Sequence, residues 1–137
     1  ETRDTVKLVQ VGDPLRPVVT PTTANARGVT PICTRTPSAC PFHAITLTDA
    51  IAAKKPTVLI ISTPGFCQTA ICGPVLELLI ELATTKPALQ VVHAEVYVDP
   101  NKKGNAAPQT TEAVTTYGLQ YEPSLLVADD QQQQPNP

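Results

Sequence analysis

Two cysteines, Cys67 and Cys72, are separated by four residues in the segment Phe66-Cys67-Gln68-Thr69-Ala70-Ile71-Cys72-Gly73-Pro74. A cysteine pair this close can make and break a disulfide. Reactivity depends on the thiolate, which is only about 3% of an ordinary thiol at pH 7 and about half of one whose pKa is near 7. The segment follows the apolar run 57–62, Thr-Val-Leu-Ile-Ile-Ser. It therefore lies at the carboxyl end of a buried strand, where α/β sheets place their sites. Cys67 is expected at the start of the next helix, where free N–H groups and the helix dipole favour an anion. Thiol–disulfide exchange then assigns attack to Cys67 and resolution to Cys72. Residues five apart on an ideal helix are about 140° out of phase. A disulfide needs Cα atoms within about 7 Å. Cys67 is therefore expected in the loop or in an irregular first turn. Pro74 is either the first residue of the regular helix or a kink just inside it. The alternative is a purely structural bond, but a six-residue loop gains only about 2 kcal/mol from it.

The second pair is Cys33 and Cys40. Its expected state is a structural disulfide, closing an eight-residue loop worth about 2.5 kcal/mol. Cys33-x6-Cys40-x2-His43 also reads as half of a metal site. It matches no compact zinc spacing and lacks a fourth ligand. Neither a metal nor another cofactor is therefore expected. His93, in Val91-Val92-His93-Ala94-Glu95-Val96, is expected as a hydrogen-bonded core or sheet-end histidine. An alternative sets it beside Cys67 and Cys72, tuning their pKa or joining them as a copper ligand. Cysteine peroxidase chemistry is not expected, because Thr63 has no arginine near it in the sequence.

The elements that must position these groups are short. Residues 1–43 are rich in Pro and Thr, and prolines recur too often there for a helix or a central strand. They are read as an extended arm pinned by Cys33–Cys40, with 5–11 a short strand. The ordered domain is expected over 44–130, with 131–137 a disordered tail. Within it, 46–53 reads as a short helix with a Thr or Asp start signal. The run 57–62 reads as a strand buried on both faces. A helix follows, with Val75, Leu76, Leu79, Ile80 and Leu82 as its apolar stripe and Lys86-Pro87 as its end. Residues 89–98 are the next strand, 110–117 a helix closed by Gly118, and 124–128 a last strand. This order predicts an α/β layered domain with a right-handed parallel crossover.

A chain of 137 residues is one domain and can bury a sizeable core. Its net charge of −2 gives no footprint for nucleic acid or an anionic membrane surface. No twenty-residue apolar run or signal-peptide pattern is present. The first residue is Glu1 rather than Met, so removal of an upstream segment is expected. Paired cysteines suit an oxidising compartment, so an extracytoplasmic location is expected, secreted or membrane-anchored.

Residues 57–128 resemble a thioredoxin-like domain. The strand running into Phe66-Cys67 resembles the one that leads to an aromatic residue and the nucleophilic cysteine. Pro74-Val75-Leu76-Glu77 resembles a segment of the active-site helix, and 91–99 resembles the central strand that ends in Asp. Tyr117-Gly118-Leu119-Gln120-Tyr121-Glu122-Pro123-Ser124-Leu125 resembles the signature whose proline is cis and faces the cysteines. The spacing also resembles that of secreted or membrane-tethered thioredoxin-like proteins of actinobacteria. The resemblance implies a central mixed sheet flanked by helices, with Cys67 and Cys72 reactive. It further implies that Phe66, Glu122 and Pro123 line the substrate site, with Glu122–Pro123 cis. Partners would be protein or small-molecule thiols and disulfides. Three features depart from the family: four residues instead of two between the cysteines, Phe66 in place of Trp, and Ile61 where a buried Asp assists proton transfer. Glu95 and Glu122 are candidate substitutes for that acid. The strand after Pro123 is expected to be an exposed edge, filled by 5–11 or by a second copy of the chain.

Overall fold

The computed structural model describes residues 10, 12–65, 71–100, 109–119 and 123–128. The expected strand at 5–11, the tail at 131–137, and Phe66, Cys67 and Glu122 therefore lie outside the described residues, Gln10 excepted.

Helix α1 (Leu47–Ala52) starts where expected, because the Thr46 hydroxyl accepts the Asp49 N–H at 3.0 Å. Strand β1 (Thr57–Ile61) is buried at every residue. Helix α2 (Cys72–Thr85) starts at Cys72 itself and is capped by Lys86. Pro74 is its third residue, inside the first turn, where no intrahelical N–H bond is lost. Strand β2 (Gln90–Ala94), helix α3 (Glu112–Tyr117) and strand β3 (Ser124–Ala128) complete the order. Gly118, at φ 64°, closes α3 in the left-handed conformation expected of a helix-terminating glycine.

The three strands form one mixed sheet in the order β2-β1-β3. β1 and β2 are parallel, with Ile60 opposite His93. β1 and β3 are antiparallel, with Ile61 opposite Ser124. Side chains alternate across β1. Leu59 and Ile61 join Leu15, Val18, Leu47, Ala50 and Tyr117 on one face. Val58 and Ile60 join Cys33, Cys40, Phe42, Leu76 and Leu79 on the other. A strand buried on both faces needs the continuous apolar run seen in its sequence.

Residues 12–46 contain no helix or strand but supply buried side chains to both faces. The Tyr117 hydroxyl donates to the Arg16 carbonyl at 2.7 Å and accepts the Arg16 N–H at 2.8 Å. Against β2, the His93 N–H donates to the Phe42 carbonyl at 3.1 Å. β2 stops at Ala94, short of the predicted 98. Beyond it, the Val96 N–H donates to the Thr63 hydroxyl and the Val98 N–H to the Gln109 carbonyl. No helix among the described residues is long and apolar enough to cross a membrane.

Candidate functional site

Both histidines of the chain and two of its four cysteines meet in one place. Cys33, Cys40 and His43 come from the irregular segment, and His93 from β2. On β2, His93 shares the strand face of Val91, which belongs to the cluster around α2. All four residues are buried, His93 completely and His43 to within 2%. Their ligand-capable atoms lie within 4.8 Å of one another.

The expected Cys33–Cys40 disulfide is not formed: both cysteines are free. They approach to 3.8 Å. A bonded pair of sulfurs would stand about 2.05 Å apart. Cys33 Sγ lies 3.7 Å and Cys40 Sγ 3.4 Å from His93 Nδ1, and the Cys40 N–H donates to Cys33 Sγ. Both sulfurs therefore lie beside the same imidazole nitrogen. His43 Nε2 lies 3.1 Å from the same Nδ1. His93 is thus the buried, hydrogen-bonded histidine expected, and the cysteines beside it are Cys33 and Cys40.

The other ring nitrogen of His93 fixes its tautomer. Nε2–H donates to the Ser62 carbonyl at 3.0 Å, with the Ser62 hydroxyl at 3.2 Å. That leaves Nδ1 as a lone pair facing the sulfurs and His43. The Cys40 thiol donates to Cys33 and holds it far below the usual thiol range, with help from His43 and His93 against burial. The same interaction, with burial, pushes Cys40 above that range.

Beside this cluster lies Glu95, 2% exposed and 3.8 Å from His93 Nε2. Burial pushes its carboxyl up to about 7, against the pull of His93 and Thr34. It accepts the Thr34 N–H at 2.7 Å and the Thr34 hydroxyl at 3.0 Å. The Thr34 hydroxyl in turn accepts the Gly65 N–H at 2.9 Å. The loop that runs from β1 toward Cys67 is therefore fastened to the residue next to Cys33.

Of the predicted reactive pair, Cys72 is described. It is fully buried at the first residue of α2 and is disulfide-bonded. Pro123 is half-buried, just before β3. The isomer of the Glu122–Pro123 bond lies outside the described residues, as do the contacts of Phe66 and Cys67. Among the described residues, the peptides Thr30–Pro31 and Thr36–Pro37 are cis.

Sequence reasoning missed the union of His43 and His93 with Cys33 and Cys40, and the roles of Ser62 and Thr34 around it. One signal was available. His93 has the same strand parity as Val91 and Glu95, so it had to project from a buried strand on one side with them. No family model matches the chain, and no curated protein or solved structure matches it.

Proposed function

We propose that the chain is a thioredoxin-like, extracytoplasmic thiol–disulfide oxidoreductase using Cys67 and Cys72. The observation that carries this reading is the β1–β3 register. Ser124 pairs with Ile61, so Pro123 stands at the carboxyl end of β1. From that same end the chain runs on through Cys67 to Cys72. A proline peptide and a cysteine pair at one strand end is the arrangement the thioredoxin resemblance implies. The mixed sheet and the buried start of α2 at Cys72 agree with it. Cys72 is disulfide-bonded while Cys33 and Cys40 are free, which leaves Cys67 as the remaining cysteine of the chain.

In the proposed cycle, the Cys67 thiolate attacks a substrate disulfide. One substrate sulfur leaves as thiolate, and a mixed disulfide forms. Cys72 then attacks the Cys67 sulfur, releasing the second substrate thiolate and closing the Cys67–Cys72 bond. Two electrons pass from the cysteine pair to the substrate, and the reverse sequence oxidises a dithiol. The Glu122–Pro123 peptide presents the substrate backbone.

Insulin reduction in the presence of dithiothreitol tests the reading, with wild type run beside Cys67→Ser. Acceleration by wild type that disappears in the variant is expected. Equal rates would refute the proposal and leave the bond as a structural one.

A further inference from the structure

We propose that Cys33, Cys40, His43 and His93 form a tetrahedral site for one Zn2+ ion. The inference is independent of the redox reading, since it involves neither Cys67 nor Cys72.

Distances carry the argument. A tetrahedral zinc with bonds of about 2.3 Å to sulfur and 2.0–2.1 Å to nitrogen sets its ligand atoms at fixed spacings. Those bonds imply about 3.8 Å between two sulfurs, about 3.6 Å from sulfur to nitrogen and about 3.3 Å between two nitrogens. The cysteines approach to 3.8 Å. The sulfur–nitrogen distances to His93 are 3.7 and 3.4 Å, and His43 Nε2 to His93 Nδ1 is 3.1 Å. The fourth ligand, missing from the local sequence spacing, is His93, fifty residues beyond His43.

Electrostatics agrees. Two thiolates, two neutral imidazoles and one dication sum to zero charge, so the set can lie in the core without an unpaired ion. Zinc displaces both thiol protons to solvent and takes their place. The surroundings are those of a ligand set. The Ser62 carbonyl holds His93 by Nε2–H, so Nδ1 presents its lone pair inward. The Cys40 N–H donates to Cys33 Sγ, as suits a thiolate. His43 Nδ1 is buried without a hydrogen-bond partner. With metal on Nε2, the ring proton sits on this nitrogen with no acceptor, a cost that the metal bonds must outweigh.

The ligand types select zinc. Tetrahedral S2N2 sets suit it, whereas calcium and magnesium take oxygen ligands. Four protein ligands leave no open position, which marks the site as structural rather than catalytic. Its role is to hold residues 33–43 against β2, the task first expected of a Cys33–Cys40 disulfide.

The test uses the full chain, reduced, loaded with Zn2+ and desalted. About one zinc per chain is expected. Replacement by Co2+ is expected to give the intense visible bands of a tetrahedral site, with thiolate-to-metal charge transfer. Cys33→Ser and His93→Gln are each expected to lose the metal or weaken it at least tenfold, while Cys72→Ser keeps it. The Co2+ spectrum of wild type decides the matter even where a variant fails to fold. The proposal is overturned by a chain that retains no zinc, by an octahedral Co2+ spectrum, by uptake of Cu+ but not Zn2+, or by a Cys33–Cys40 disulfide in the loaded protein.

Discussion

Thr34 shows how much one residue can join. Its hydroxyl donates to the buried Glu95 and accepts from the Gly65 N–H. Gly65 is held so close that a Cβ there would meet the Thr34 carbonyl oxygen at 2.8 Å and the Thr34 Cβ at 2.9 Å. Both are parts of the chain that cannot swing aside. Gly65→Ala should therefore destabilise the protein by about 1–3 kcal/mol, read as a lower urea midpoint. A midpoint unchanged from wild type would show that the loop has room the structure denies it. Tyr117 offers a second residue-scale test. Its ring is buried in the core and its hydroxyl both donates to and accepts from the Arg16 backbone. Tyr117→Phe removes both of these hydrogen bonds, at a cost of about 1–3 kcal/mol. Burial also pushes the Tyr117 hydroxyl up to about 12 from an ordinary 10. The folded state thus favours the neutral phenol. This contribution is complete below pH 10 and is lost as pH rises toward 12. Denaturation curves from pH 9 to 12 should show that loss in wild type and a shallower one in Tyr117→Phe.

At the scale of elements, β3 was legible to the residue, as a short apolar run after Pro123, and β1 nearly so, because its continuous β-branched, apolar run leaves little choice. α3 was legible through Gly118, whose positive φ ends the helix. β2 was overestimated. Residues 95–98 continue the strand composition, but their backbone groups bond Thr63, Gln109 and Thr30 rather than the ladder. No local pattern encodes such long-range partners. The stripe of α2 was legible in part. Leu76 and Leu79 are buried, while Leu82 is 38% exposed. The difference is measurable. Leu76→Ala should cost about 2–5 kcal/mol, because it empties a fully buried position. Leu78→Ala, at a position 65% exposed, should change stability by less than about 0.5 kcal/mol. Equal effects would mean that the helix is turned relative to the sheet.

Across the whole molecule, an irregular segment is built into the core of a small mixed sheet. Leu15 and Val18 reach one face, and Cys33, Cys40 and Phe42 the other. Prolines explain why the segment is not helix or strand, but no periodic pattern says where it lies. That is why the cluster could not be read from the chain. Cys33, Cys40 and His43 fall within eleven residues, whereas His93 is supplied by tertiary packing. A half-set read locally looks like a disulfide. If the cluster holds zinc, the metal ties segment to sheet, and removing it should loosen both faces. Stripping the metal with a strong chelator under reducing conditions should lower the melting temperature by several degrees, and zinc should restore it. A melting temperature unmoved by either treatment would show that packing alone holds the segment.

Under the proposed function and the proposed zinc site, the four cysteines form two pairs with separate fates: Cys67 and Cys72 would exchange electrons, and Cys33 and Cys40 would not. Thiol alkylation with mass mapping, across a redox titration of the zinc-loaded chain, tests that division directly. Cys67 and Cys72 should pass together from thiol to disulfide at a potential above about −300 mV. Cys33 and Cys40 should stay reduced and slow to alkylate until zinc is withdrawn. A Cys33–Cys40 disulfide appearing while zinc is present, or a Cys67–Cys72 bond that persists well below that potential, would contradict it.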